Sequence, residues 1–293
     1  MSDAELPYER AFRGWIEENG MGWERLVLRI GGDDSTTAYR FTPRTDPACR
    51  ILALHGAGND ALFAWVGLFK QLLLRGAEIF TFDLPGHGRF NRSFFDRRAA
   101  SAALSAAIRV CDRDAAPRRV HAVGISLGGS ALLDALPQVQ ARLASAALVV
   151  APLEIHLSFR TALVEIGPKT FSVLWREREH YGLTGLIPSF GPFRRDIYPL
   201  RLKEAAGGGS FGYVAVLNRI LREMELEKSA RRVEVPVLLV YGARDRIVPA
   251  SQGRRLASLL PESRLEVVDG THLSTPLEPR AIQLLLDWVE RHE

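Results

Sequence analysis

The sequence predicts an α/β protein with a mostly parallel, twisted sheet, helices on both faces and one inserted helical segment. Short apolar runs alternate with stretches of helical spacing, which is typical of parallel sheets flanked by helices. Most runs are continuously apolar, as expected for strands buried on both faces. The alternation stops once, for about 80 residues in the second half of the chain.

The elements follow in chain order from composition and spacing. Strands are predicted at Leu26–Ile30, Thr36–Phe41, Ile51–Leu54, Ile79–Phe82, Val120–Val123, Ala146–Val150, Val237–Val240 and Leu265–Val268. The Gly-Gly-Asp-Asp sequence at 31–34 predicts a hairpin between the first two. Helices are predicted at Asn59–Leu74, Ala99–Val110, Ala131–Leu136, Tyr213–Leu226, Gln252–Leu260 and Pro279–Glu290.

The long stretch without a clear strand is interpreted as an insertion, because loops of that length rarely lack structure inside a compact domain. We therefore expect an α/β core formed by residues 1–152 and 231–293, with a helical cap at 153–230. Aromatic residues of the cap are candidates for contact with an apolar substrate, namely Trp175, Phe171 and Phe211. Packing of the cap on the core is the alternative role for each of them.

Composition and charge narrow the classes of function. The 293 residues carry a formal net charge of +4, but the basic residues form scattered pairs, so nucleic-acid binding is not expected. Two cysteines, Cys49 and Cys111, do not make a disulfide framework. The N-terminal segment lacks the apolar run of a secretory signal, and the apolar stretch Leu143–Ile155 is too short to span a bilayer. We expect a soluble cytoplasmic protein.

The most informative motif is the G-x-S-x-G sequence at Gly124–Gly128. It lies between a predicted strand and a predicted helix, which is the context that a nucleophile elbow requires. Glycines at both ends let the strand and the helix approach closely around a sharp turn. The pattern therefore predicts that the hydroxyl of Ser126 is presented at the end of the sheet.

A serine nucleophile needs a base within hydrogen-bond reach and an acid that orients the base. On such a sheet the two partners come from loops after later strands, in the chain order serine, acid, histidine. Asp245 and His272 each follow a predicted strand in that order. We expect Ser126 to be the nucleophile, His272 the general base and Asp245 its orienting acid. Asp269 and Glu154 also follow strands and are alternative acids.

The tetrahedral oxyanion of acyl transfer needs two preorganised hydrogen-bond donors. One candidate is the backbone amide of Leu127, at the start of the helix after the nucleophile, where the helix dipole also favours negative charge. The second is expected from the glycine-rich loop at 55–59, with Ala57 favoured and Gly58 next. A plain tight turn is the alternative for this loop.

These residues resemble the α/β-hydrolase superfamily from about Arg25 to the end of the chain. The similar motifs are His55-Gly56-Ala57-Gly58 for the oxyanion loop, Asp83–Gly88 for the D-x-x-G-H-G turn, Gly124–Gly129 for the elbow, Gly242–Asp245 for the acid loop and Thr271-His272 for the histidine loop. Within the superfamily the pattern is most similar to monoacylglycerol lipases, lysophospholipases and carboxylesterases.

The chain departs from that pattern in two places. Ile125 precedes the nucleophile where many relatives carry His, Gln or Asn, and Arg89-Phe90 replaces the small serine that often follows the GHG turn. Both departures border the expected pocket and leave the substrate open.

The residues and the resemblance imply a serine hydrolase without a cofactor or metal that cleaves a small-molecule carboxylic ester through an acyl-enzyme. A thioesterase or amide hydrolase is the first alternative, because the same three residues perform all acyl transfers. Hydrolysis of a carbon–carbon bond in a diketone is a second, less favoured alternative. A non-catalytic protein that binds a small molecule in the same pocket is the alternative from another class.

Overall fold

A computed structural model gives the fold for residues 5–62, 65–91, 95–111, 119–156, 158, 161, 165, 167–181 and 210–293. The strands are β1 (Gly22–Gly31), β2 (Asp34–Thr42), β3 (Arg50–Leu54), β4 (Glu78–Phe82), β5 (Val120–Ile125), β6 (Ser145–Val149), β7 (Val237–Gly242) and β8 (Ser263–Val268). The helices are α1 (Pro7–Glu18), α2 (Val66–Leu74), α3 (Arg97–Cys111), α4 (Leu127–Val139), α5 (Pro168–Tyr181), α6 (Ser210–Glu223), α7 (Leu226–Ala230), α8 (Ala250–Ala257) and α9 (Pro279–Arg291).

The eight strands form one sheet in the order β1-β2-β4-β3-β5-β6-β7-β8. The β1–β2 hairpin is antiparallel and β2 pairs antiparallel with β4, whereas all later pairings are parallel. Leu54 pairs with Gly124, and Ile125 pairs with Val149. The carboxyl ends of the parallel strands therefore meet at one edge, where open α/β sheets bind their ligands.

Helices cover both faces of the sheet, as the continuously apolar strands require. One apolar core contains buried side chains of α1, α2 and α9, including Phe12, Phe69 and Leu285. The other contains buried side chains of α3, α4, α6 and α8, including Leu132 and Leu256. The α/β fold predicted from the sequence, with its mostly parallel sheet, is confirmed.

The predicted helix Asn59–Leu74 is too long at its N-terminal end, since α2 begins at Val66. Two amides of the residues before α2 do not form helical hydrogen bonds. The amide of Asn59 donates to the carbonyl of Gly56, and the amide of Leu62 donates to the carboxylate of Asp60. Leu62 is still buried, so the apolar spacing reflected burial rather than a continuous helix.

The predicted helix Tyr213–Leu226 corresponds to α6, which already ends at Glu223, and Leu226 is the first residue of the separate helix α7. Glu225 between them has a left-handed backbone with φ of 48°, which no α-helix interior accommodates.

Helix α1 was not predicted: the only expectation for the charged N-terminal segment came from its lack of an apolar secretory run. Its sequence carried the signal: Pro7 in the first turn, then Tyr8, Phe12 and Ile16 at four-residue spacing. All three apolar side chains are buried, and the amide of Leu6 donates to Glu9 at the helix start.

Helices α5, α6 and α7 lie in the chain between β6 and β7, where the cap at 153–230 was predicted. Residues 182–209 lie outside the described part of the chain, and the cap boundaries stay a prediction. Cys49 and Cys111 are buried free thiols. Among the described residues, no helix combines the length and apolar character needed to cross a bilayer.

Candidate active site

Ser126 lies on a strained turn between β5 and α4. Its φ of 49° and ψ of −122° are rare for a residue with a side chain, and its amide donates to the carbonyl of Val149 on the adjacent strand at 2.8 Å. A Cβ on Gly124 would lie only 2.6 Å from the carbonyl oxygen of Gly128. A glycine is therefore required where strand and helix cross, as the motif indicates.

Three of the predicted site residues are brought together in one path of hydrogen bonds. The hydroxyl oxygen of Ser126 lies 3.0 Å from Nε2 of His272. Nδ1 of the same imidazole lies 2.9 Å from Oδ2 of Asp245. With the Nδ1 proton donated to the carboxylate, Nε2 is free to accept the serine proton.

Asp245 is enclosed and supported from its own loop. Its side chain is 0% exposed, and Oδ1 accepts the amides of Ile247 at 2.9 Å and Val248 at 2.7 Å. These two bonds fix the carboxylate so that its other oxygen faces His272.

The two alternative acids lie elsewhere. Asp269 is largely exposed and pairs with Arg244 at 2.6 Å. Glu154 is exposed, and its carboxylate lies 3.8 Å from His156. Neither carboxylate has a hydrogen bond to His272 among the contacts of the described residues, so the geometry favours Asp245.

The loop that carries His272 is tied down by its neighbours. The amide of Thr271 donates to the hydroxyl of Ser274 at 2.9 Å, and the hydroxyl of Thr275 donates back to the carbonyl of Thr271 at 2.6 Å. The amide of Arg244 in the acid loop donates to the carbonyl of Gly270 at 2.9 Å. The acid loop and the histidine loop therefore form one hydrogen-bonded unit.

Glu165 is a site residue that the sequence did not reveal. It lies in the segment between β6 and β7, and its carboxylate is buried beside both loops. It accepts the amide of His272 at 2.7 Å and that of Arg246 at 3.2 Å. No sequence motif includes Glu165, and its distance in sequence from both loops hides its contacts with them.

The glycine-rich loop after β3 lies against the serine. A Cβ on Gly56 would be 3.2 Å from Cβ of Ser126. Leu127 opens α4, and the first amides of a helix have no acceptor within the helix. Leu127 directly follows the serine, and the loop that carries Ala57 and Gly58 lies against the serine at Gly56; Gly58 has a left-handed conformation (φ 77°). Their role as oxyanion donors stays a prediction.

His55 connects that loop to the turn after β4. Its Nδ1 donates to the carbonyl of Gly56 at 2.8 Å, and its Nε2 accepts the amide of Leu84 at 2.9 Å. Burial, and after it the neighbouring His87, lower the pKa of His55 to about 3. A neutral imidazole with one donor and one acceptor nitrogen therefore fixes the loop.

Asp83 in the turn after β4 and Asp60 in the loop after β3 are both buried carboxylates. Asp83 accepts the amides of Ala61 at 2.8 Å and Arg89 at 2.7 Å. Burial, followed by the charge of Asp60, raises the pKa of Asp83 to about 7. The D-x-x-G-H-G turn is thus a structural junction between the loops after β3 and β4.

Arg89, one of the two departures from the family pattern, connects this turn to helix α1. Its guanidinium lies 3.0 Å from the carboxylate of Glu9 and donates to the hydroxyl of Tyr39 at 2.6 Å. Tyr39 in turn donates to Glu9 at 3.0 Å. The exchange of a small residue for arginine is explained by the helix that it anchors.

The aromatic candidates of the insertion have different outcomes. Phe171 and Trp175 lie on α5 with stacked rings 6.2 Å apart, and both are exposed. The side chain of Phe211 lies outside the described residues. Contact of any of them with a substrate stays a prediction. Across the described ranges, His, Cys, Asp and Glu form no cluster that could hold a metal ion.

Comparison with known proteins decides the family. A model of the alpha/beta hydrolase family matches residues 51–284, most of the chain. The chain belongs to the α/β-hydrolase family. The matched region of this hydrolase runs from β3 into α9 and includes Ser126, Asp245 and His272.

Individual relatives of this α/β-hydrolase carry names of ester-cleaving enzymes. A pimeloyl-[acyl-carrier protein] methyl ester esterase of Chromobacterium violaceum is 28% identical over 225 residues, 73% of this chain and 83% of that protein. A 3-oxoadipate enol-lactonase of Acinetobacter baylyi is 30% identical over 78 residues, only 27% of this chain and 29% of that protein. A crystal structure assigned as an aryl esterase from Burkholderia cenocepacia has a TM-score of 0.66 at 23% identity, covering 92% of this chain and 99% of that one. Esterase-like proteins are therefore among its relatives.

Proposed function

We propose that this α/β-hydrolase cleaves a carboxylic ester through an acyl-enzyme, with Ser126 as nucleophile, His272 as general base and acid, and Asp245 as the acid that orients it. One observation carries the proposal: the continuous path from the Ser126 hydroxyl through His272 to Asp245, with distances of 3.0 and 2.9 Å. A serine hydroxyl is a weak nucleophile unless such a base accepts its proton.

The chemistry follows from the protonation states of that path. Oγ of Ser126 attacks the ester carbonyl as its proton passes to Nε2 of His272. The imidazolium is stabilised by the buried carboxylate of Asp245. His272 then gives the proton to the leaving alcohol, which leaves Ser126 acylated. Water, deprotonated by His272, attacks the acyl carbon; the acid is released and Ser126 recovers its proton.

The oxyanion of each tetrahedral intermediate needs donors beside Ser126. We assign the amide of Leu127 as the first donor, because it starts α4 directly after the nucleophile. The amide of Ala57 is the favoured second donor, with Gly58 as the alternative, since their loop lies against Ser126.

An ester is the substrate class that the relatives favour. Two of the curated relatives are named for a methyl ester and for a lactone, which is a cyclic ester. An apolar group fits the exposed Phe171 and Trp175 of α5 and the exposed Leu273 beside His272. In this proposal residues 153–230 form the helical insertion that borders the site.

The test is hydrolysis of p-nitrophenyl esters of increasing acyl length by the wild type and by Ser126→Ala. We expect wild-type turnover with an optimum length, and a loss of at least about 10³-fold in kcat in the variant. Ser130→Ala is the matched control, because its buried hydroxyl on the same helix bonds the carbonyl of Pro152 instead. It should keep its turnover.

Two results would contradict the proposal. Turnover that survives Ser126→Ala would show another nucleophile. An inactive wild type at every acyl length would favour a thioester, amide or carbon–carbon substrate, or a protein that binds without turnover. Thermal unfolding of each variant shows whether a lost activity is a lost fold.

A further inference from the structure

Glu165 is a buried carboxylate, and its hydrogen bonds to other described residues run to the two loops of the candidate site. The residue is 1% exposed. Its Oε2 accepts the amides of His272 at 2.7 Å and Leu273 at 3.4 Å, and its Oε1 accepts the amide of Arg246 at 3.2 Å. One oxygen therefore binds the histidine loop, and the other binds the acid loop directly after Asp245.

This arrangement requires a carboxylate rather than any polar side chain. Donors approach both oxygens, and only an ionised carboxyl accepts on both sides. A glutamine would have to turn its NH₂ group toward one loop, where it meets another N–H donor. An aspartate is one methylene shorter and cannot span the two loops without moving one of them.

The charge of Glu165 also lies close to the reacting groups. Burial raises the pKa of Glu165, and the charge of Asp245 raises it further, whereas the amide of Arg246 and a charged His272 lower it. A negative charge here favours the imidazolium that forms when His272 takes the serine proton. Asp269 pairs with Arg244 and with Lys169 near the protein surface, and Lys169 also pairs with Glu278.

We propose that Glu165 is a positioning residue: it joins the acid loop to the histidine loop and so aligns His272 between Ser126 and Asp245. The inference rests on the proposed function. It makes the segment between β6 and β7 part of the catalytic arrangement, because this segment contributes the carboxylate that aligns the base.

The experiment compares Glu165→Gln and Glu165→Asp with Glu154→Gln. Glu154 is the matched control, because it belongs to the same segment, is exposed and loses the same charge. For Glu165→Gln we expect kcat to fall by about 10²-fold at a nearly unchanged KM, since small misplacements of a catalytic group have effects of that size. The acid limb of the pH profile of kcat/KM should move to lower pH, because the charge that favours the imidazolium is gone.

Glu165→Asp separates position from charge. In this variant kcat should fall, because the shorter side chain no longer spans the two loops. The acid limb of the pH profile should stay at the wild-type pH, because the negative charge is kept. Glu154→Gln should match the wild type in both. Glu165→Gln with kcat within about twofold of the wild type and an unmoved pH profile would overturn the proposal.

A substrate-free measurement keeps this inference separate from the proposed function. The Nδ1 proton of His272, bonded to Asp245, gives a downfield proton NMR resonance, identified by its absence in His272→Ala. We expect it to weaken in both Glu165 variants and to persist in Glu154→Gln. A wild-type protein that shows the resonance but no esterase activity would refute the proposed ester substrate and leave the positioning role of Glu165 intact. An unchanged resonance in Glu165→Gln would refute the positioning role.

Discussion

Replacement of Asp245 by asparagine tests the orientation of the candidate base. In the wild type, Oδ1 of Asp245 accepts two amides, and Oδ2 accepts the Nδ1 proton of His272. An asparagine must keep its single oxygen on the two amides, so its NH₂ group faces Nδ1. The imidazole then shifts its proton to Nε2, where it can no longer accept the proton of Ser126.

The size of the effect follows from that tautomer. The same substitution in a serine protease triad, with geometry kept, lowers kcat by about 10⁴-fold, which is about 5.5 kcal/mol of transition-state stabilisation. We expect a loss of this size in Asp245→Asn. The fold should persist, because both amide bonds to Oδ1 remain and a buried charge is removed.

The assay is kcat on the best p-nitrophenyl ester, with thermal unfolding of each variant measured beside it. Asp269→Asn is the control, since that carboxylate is exposed and paired with Arg244. It should keep kcat within about twofold of the wild type. Equal losses in the two variants, or full activity in Asp245→Asn, would refute the assignment of the acid.

Two further predictions concern stability. In Gly124→Ala the free energy of unfolding in urea should fall by about 1–3 kcal/mol, because the new Cβ would lie 2.6 Å from the Gly128 carbonyl oxygen. In Gly14→Ala, on helix α1 with open space around the new Cβ, the free energy of unfolding should instead rise by up to about 1 kcal/mol. Equal effects in the two variants would contradict the close packing of the elbow. Burial, followed by the charges of His292 and Arg119, lowers the pKa of His121 to about 4. An unfolded histidine takes up a proton below about pH 6.5, whereas the folded one stays neutral, so the folded state loses stability as pH falls toward 4. His121→Gln should reduce the loss between pH 7 and pH 5 by about 2 kcal/mol, and an identical loss in the variant would disprove this origin.

Much of the fold was predictable because its signals are local. Most strands of the parallel sheet consist largely of apolar residues, and the elbow, acid and histidine motifs each lie within a few residues of a strand end. The order of Ser126, Asp245 and His272 along the chain followed from the topology, because loops after parallel strands meet at one edge.

What the sequence did not reveal depends on contacts between distant segments. Glu165 carries no motif and receives its importance from amides in two loops more than 80 positions away. Arg89 looked like a change beside the pocket, and only the position of Glu9 on helix α1 explains it. The start of α2 was misjudged because Asp60 binds the amide of Leu62, which spacing alone cannot show.

The wide separation of the site residues bears on how the protein folds. Ser126 and His272 are 146 positions apart, and β6 pairs with β7 across the whole inserted segment. Closing so long a loop has an entropic cost before any contact compensates for it, and folds rich in distant contacts form slowly. The elbow strand, already flanked by β3 and β6, can form before β7 and β8 join the sheet. Recovery of the proposed hydrolysis during refolding would therefore report completion of the sheet, since formation of the elbow alone leaves Ser126 without its proposed base.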